Sequence, residues 1–243
     1  MQEELMVKVL PIIKALRTYH RHEVVGLSNI PARGPAIVAT NHSLATYDIL
    51  MLMQAVLGEY NRFPRSLIDS LFYKIPKLGN IMEKLGCVPG NHPNAKSLLS
   101  NGELIYVAPG GMMESLRPTT NRYKIMWESR KGFAKLAIDT NTPIVLAACP
   151  KADDIFEIYE NPLSKWIYKN LKLPTFIAHG VGFTPVPNPI QLVHLVSEPI
   201  YPPQTRYKDE ALDEFHTELI KRMKKLMQDA ISLTERRSLV ENK

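Results

Sequence analysis

Three short runs of unbroken apolar residues, Ala36–Thr40, Leu104–Ala108 and Pro143–Ala148, limit what this chain can fold into more than anything else in it. None alternates with polar residues, so each suits a strand buried on both faces. Helical patterns lie between them, over 48–57, 66–85 (interrupted near Pro76), 93–100 and 128–140. Strands alternating with helices predict an α/β fold: a mostly parallel central sheet flanked by helices, in a single domain. A short strand and turn is expected at 87–91, a helix over 162–172, and strands over 175–183 and 192–197, with 199–203 extended. A charged helix over 208–232 carries the buried stripe Leu212, Phe215, Leu219, Met223 and Leu226. Gly58 and Gly86 stand where helices should stop.

The ends divide from this middle. Residues 1–22 read as an amphipathic helix, with Leu5, Val9, Ile12, Leu16 and Tyr19 on one face, basic residues elsewhere, and Pro11 expected to kink or restart it. Such a helix serves equally as a membrane anchor or as an element packed on its own domain. Residues 23–205 then form the α/β core, and 206–243 a C-terminal helix packed on it. No apolar stretch reaches the roughly 20 residues that a bilayer requires. No signal peptide is read at the N-terminus, where Glu3 and Glu4 replace the usual positive charge.

Charge narrows the partners. A net charge of +6 favours anionic lipid surfaces and phosphorylated small molecules. Nucleic acid is the weakest option, because no basic run interleaves with aromatics. The two cysteines, Cys87 and Cys149, sit in apolar company and read as reduced core thiols. Neither they nor His20, His22, His92, His179, His194 and His216 show metal-ligand spacing, so no metal is expected.

Folds of this kind place their chemistry in loops after strands, and two such loops stand out. In the first, Asn41-His42 follows a strand and Asp48 opens a helix, a pairing that suits a general base and an orienting carboxylate. Asp48 is equally at home as a first-turn acid. In the second, Pro109-Gly110-Gly111-Met112-Met113-Glu114-Ser115 follows a strand. Its glycine amides suit an oxyanion, and Glu114 an acceptor hydroxyl.

Together the loops resemble the glycerolipid acyltransferase superfamily. Asn41-His42…Asp48 is similar to its first motif, Gly110-Gly111…Glu114-Ser115 to its third, and Thr142-Pro143-Ile144-Val145 to its fourth. The likeness runs from about residue 22 to residue 200. Five residues separate His42 from Asp48 where four are usual, and the arginines usual in the second and third motifs are missing. Both departures, with Tyr123 and Trp127–Ala134, resemble the diacylglycerol-acyltransferase-like branch.

The resemblance implies transfer of a fatty acyl group from a thioester, acyl-CoA or acyl-ACP, to a lipid hydroxyl, with no permanently bound cofactor. His42 and Asp48 would be catalytic, and Asn41, Gly110, Gly111, Glu114 and Ser115 would bind the oxyanion or acceptor. A neutral acceptor such as diacylglycerol or a long-chain alcohol is expected, because no guanidinium is offered to a phosphate. Arg117 and Arg122 could still bind an anion, which keeps lysophosphatidate or lysophospholipid acylation open. The rivals are a covalent route through Ser43 or Ser115 and a non-catalytic lipid-binding protein. The expected location is peripheral, on the cytoplasmic side of a membrane.

Overall fold

The computed structural model describes residues 2–159, 161–171, 175–205 and 208–241. In chain order the elements are α1 (Gln2–Tyr19), β1 (Glu23–Val25), β2 (Ala36–Thr40), α2 (Tyr47–Tyr60), β3 (Arg65–Ile68), α3 (Leu71–Lys74) and α4 (Leu78–Lys84). There follow β4 (Cys87–Pro89), α5 (His92–Ser100), β5 (Leu104–Val107), α6 (Gly111–Ser115), α7 (Gly132–Thr140) and β6 (Ile144–Ala148). The chain closes with β7 (Glu157–Tyr159), α8 (Pro162–Leu171), β8 (Ile177–His179), β9 (Val193–Val196) and α9 (Lys208–Glu241).

Seven strands form one sheet in the order β1-β9-β6-β2-β5-β3-β4, parallel throughout except where β9 runs against β6. β2 lies at its centre with all five residues buried, as its unbroken apolar sequence requires. Ile37 and Ala39 join one core with α5, α7 and α9, whose Phe215, Leu219, Met223 and Met227 lie against Ile144 and Leu146. Ala36 and Val38 face the other way, onto Ile49, Leu52 and Val56 of α2. The period-two alternation of strand side chains thus feeds two cores from one short strand.

Several local expectations are revised. The stretch 66–85 holds a strand, β3, before its helices, because Arg65–Ile68 finds pairing partners in β4 and β5. Gly58 lies inside α2, and Asn61 takes the left-handed turn at φ 47 instead. The helix expected at 128–140 begins at Gly132, and the strand expected at 175–183 shrinks to Ile177–His179. Residue 172, the expected end of another helix, lies outside the described residues. The last helix runs on to Glu241.

α1 continues through Pro11 and turns its Ile13 inward, with Val9, Leu10 and Leu16 packed around the same cluster. Ile12 and Tyr19, expected on its apolar face, are exposed. The side chain of Leu5 lies outside the described residues. Among the described residues no helix is long and apolar enough to cross a membrane.

Candidate active site

His42 sits two residues past the end of β2, at the sheet's C-terminal edge, partly exposed. Its Nδ1 lies 2.9 Å from the carbonyl of Ser43. A carbonyl only accepts, so Nδ1 carries the proton and Nε2 keeps its lone pair. Burial pulls the imidazole's pKa below 6.5, against the Ser43 carbonyl and Asp48, which raise it; Arg117 adds to the lowering. The ring is therefore neutral at pH 7, with Nε2 free to take a proton.

Asp48 was expected to orient that ring directly. Among the described residues, no hydrogen bond or ion pair joins the two side chains. Asp48 instead accepts from the Ser43 hydroxyl, whose residue in turn supplies the carbonyl that holds His42. The extra residue in this loop lets Ser43 act as the bridge. Ser43 and Asp48 are both almost fully buried.

The other oxygen of Asp48 lies 3.3 Å from Nε2 of His194, a residue of β9 that its neighbours in sequence do not mark out. His194 Nδ1 is 2.8 Å from His22 Nε2, and His22 Nδ1 accepts from Arg17 Nε at 3.0 Å. Because a guanidinium only donates, the protons along this line are determined. His22 carries its hydrogen on Nε2 and gives it to His194 Nδ1, which leaves the His194 hydrogen on Nε2, close to Asp48 but not hydrogen-bonded to it. Burial, with His194, Arg17 and His20 nearby, pushes His22 down to a pKa of about 2, consistent with a neutral ring. The sequence spacing that set His194 apart from any cluster is misleading. Its ring nitrogen, Asp48 and Cys149 place their ligand atoms within 4.8 Å of one another.

The second loop meets the first through Glu114. This carboxylate is fully buried, accepting from the His42 amide at 2.8 Å and from the Met126 amide at 2.8 Å. Burial raises its pKa, while those two amides and Arg117 lower it. Expected to face an acceptor hydroxyl, Glu114 is consumed in holding the catalytic loop. Gly110 is required for this: a Cβ there would stand 2.0 Å from Glu114 Oε2. Gly111, at φ +57, gives its amide to the Ala108 carbonyl at 3.0 Å, so that amide is not aimed at an oxyanion.

Three more expectations change. Asn41 spends its amide on both main-chain groups of Cys149, at 2.8 and 3.3 Å, and so ties the end of β2 to the end of β6. Ser115 is buried and donates to the Met112 carbonyl at 3.1 Å. Arg117 is buried: it pairs with Asp153 through Nε and Nη2, and its Nη1 donates to the His42 carbonyl at 3.1 Å and the Glu114 carbonyl at 2.9 Å. Arg122 pairs with Asp154 at 3.2 Å and with Glu157. Asp153, which sequence reading passed over, is the acid that neutralises Arg117.

A cavity of about 550 Å³ opens beyond the C-terminal ends of β3, β4 and β5. Ile68, Val107 and Phe133 line it, with Gly111 on the side of the catalytic loop and Arg130 and Lys131 on another.

A histidine just past β2 and a roomy cleft at the same edge of a mostly parallel sheet mark an α/β protein whose chemistry is expected at that edge. Residues 21–149 match the Acyltransferase family, and the chain belongs to it. It is 29% identical over 75% of its length to a Bos taurus protein named "DGAT1/2-independent enzyme synthesizing storage lipids", and 30% identical over 76% to the Gallus gallus protein of that name. It is also 30% identical, over 74% of its length, to an uncharacterised protein of Mycobacterium tuberculosis. The chain spans 53% of each of these relatives. In fold it is similar to the crystal structure of PlsC, the 1-acyl-sn-glycerophosphate acyltransferase from Thermotoga maritima. The TM-score is 0.55 at 20% identity, covering 91% of this chain and 79% of that one.

Proposed function

We propose that this chain is an O-acyltransferase that moves a fatty acyl group from a thioester to a neutral lipid hydroxyl, with His42 as general base. His42 Nε2 takes the acceptor's hydroxyl proton as that oxygen bonds to the thioester carbonyl carbon. The tetrahedral oxyanion then collapses, the C–S bond breaks, and the imidazolium returns its proton to the departing thiolate. Gly110 is the candidate amide donor for the oxyanion. Asp48 acts through Ser43 and has no direct bond to the imidazole. A base so placed contributes about 10²–10⁴ in rate.

The observation that carries the neutral acceptor is the commitment of Arg117 and Arg122, the two arginines that follow Glu114 most closely in the chain. Arg117 and Arg122 are each locked to acids, so neither is open to a phosphate's bidentate grip. The vertebrate relatives' printed name, which speaks of storage lipids, supports the same reading. Lysophosphatidate acylation is the second reading, favoured by the likeness to PlsC. The acyl thioester, from CoA or acyl carrier protein, is assigned to the cavity, where Arg130 suits an anionic carrier while Lys131 pairs with Asp213 at 2.7 Å. Ser43 and Ser115 are buried with their hydroxyls engaged, which disfavours a covalent route.

The test supplies acyl-CoA with diacylglycerol, a long-chain alcohol or lysophosphatidate, and identifies products by mass spectrometry for wild type and His42→Ala. Neutral esters that vanish in His42→Ala support the proposal. Turnover of lysophosphatidate alone would overturn the acceptor, and full activity in His42→Ala the mechanism.

A further inference from the structure

Between β6 and β9 the chain leaves the sheet and builds a small lobe: β7, α8, β8 and the loop to residue 187. β7 and β8 pair antiparallel, with Tyr159 opposite Ile177 and Ile158 opposite Ala178. Alternation puts Tyr159 and Ile177 on one face, and both are about half exposed. Ile158 faces the body, where its amide bonds to Thr119 Oγ1 at 2.8 Å. The rest of the lobe is just as unusual for a surface in water: Leu163, Trp166 and Phe176 are all exposed, and Phe183 is 81% exposed.

Phe183 adds a second cost. It holds φ at +64, a region that bulky residues avoid, next to Gly182 at φ +57. Gly180 makes this loop feasible, since a Cβ there would lie 1.7 Å from the Val186 carbonyl oxygen. Among the described residues, the one ring contact of Phe183 is a tilted stack on His179, with centroids 4.3 Å apart, which leaves most of the aromatic surface in water; in hydrocarbon that exposure becomes favourable.

We propose that this lobe, rather than α1, is where the protein enters a lipid surface. Three observations select lipid as the occupant. Trp, Tyr and Phe together are the side chains of a membrane–water interface. In sequence the lobe's charged residues are Lys165, Lys169 and Lys172 against Glu157 and Glu160, of which Glu157 is paired with Arg122, on a chain of net charge +6, which suits anionic headgroups. The base of the lobe also adjoins the catalytic loop: Phe156 and Ile158 share a small cavity wall with Leu44, Ser115 and Arg117. An acceptor dissolved in the same lipid surface would then arrive beside His42, a consequence that rests on the acyltransferase reading.

The test is flotation of the full chain with phosphatidylcholine vesicles, with and without phosphatidylserine, which needs no activity. Phe183→Glu together with Trp166→Glu should weaken binding on the order of tenfold to a hundredfold, the cost of withdrawing buried aromatic area. Phosphatidylserine should strengthen wild-type binding, and Ile12→Glu on α1 should leave it unchanged. Circular dichroism confirms that the variants fold. Wild-type flotation by the double variant would overturn the proposal. So would a change from dimer to monomer with flotation intact, which would make the lobe a self-association surface.

A different observation carries a second inference. The line Arg17–His22–His194 ends on Asp48 with every tautomer determined, and we infer that His22 and His194 are positioning residues for the catalytic loop. With His194 Nε2 3.3 Å from one oxygen and the Ser43 hydroxyl on the other, Asp48 is held in place, and Ser43 in turn holds His42. His194→Leu removes the polar ring beside Asp48. It should lower kcat on the order of ten- to a hundredfold with KM unchanged, as loss of an orienting partner does. His194→Gln, able to accept from His22 and donate to Asp48, should recover most of that loss. A folded His194→Leu protein with wild-type kcat, or a Gln variant as slow as Leu, would overturn the inference. Stoichiometric zinc in the purified protein would do the same, since the proton on Nε2 would then be a metal ion.

Discussion

The two sides of the catalytic loop are built on opposite rules. Behind it, polar groups are buried and spoken for: Asp48, Glu114, Arg117 and His194 are all within 5% of full burial, each held by named partners. Beside it, the lobe of β7, α8 and β8 leaves Trp166 and Phe183 in the open. The first arrangement fixes geometry, because a buried charge with one partner removed is expensive. The second fixes almost nothing about the isolated fold, which is why its residues are available for something outside it.

Substitutions on the two sides should therefore separate cleanly. The largest effect is expected from Arg117→Met, which strands Asp153 and removes donors from two main-chain carbonyls. Breaking a buried pair in this way should cost about 3–5 kcal/mol, read by urea unfolding. A loss below about 1 kcal/mol would mean that the rear side is looser than drawn here.

Next in size is an acid effect at His22. Its folded pKa of about 2 lies below the ordinary 6.5, so the unfolded chain takes up a proton that the folded chain refuses. Stability is therefore fully present above pH 6.5 and falls as pH drops below it, by up to about 1.4 kcal/mol per unit from this one group. Thermal melts of wild type and His22→Gln between pH 7 and pH 5 measure it. The wild-type decline should be the steeper, and equal slopes would show that His22 is protonated in the fold.

The smallest effect belongs to the lobe. Phe183→Gly trades an exposed ring in a left-handed backbone for the residue that adopts it freely, so stability should hold within about 0.5 kcal/mol, in contrast to Arg117→Met. A substantial drop in Tm would show that Phe183 packs on the body, and the contrast between the two sides would dissolve.

What could be read from the residues follows the same division. Strands buried on both faces announce themselves, and β2 with His42 beyond its end was legible at once. β3 was not, because its four residues are stabilised by pairing with β4 and β5, which lie later in the chain. Motif spacing located the loops but did not reveal the contacts made within them. Glu114 after paired glycines has the look of a substrate contact, and only the fold shows both its oxygens turned to main-chain amides. Ser43 beside His42 reads as a rival nucleophile, whereas its hydroxyl and carbonyl bridge Asp48 and His42. His194 offered no local signal, since its meaning depends on β9 lying beside β6 and β1.

The pairing of β1 with β9 reaches further than the sheet itself. It seats Arg17 and His22 against a strand 172 positions beyond His22, directly behind the Asp48 and Ser43 pair. Trimming the opening helix as a dispensable leader would strip out that underpinning. Lost activity in such a truncation would then report a loosened site and not a lost grip on lipid.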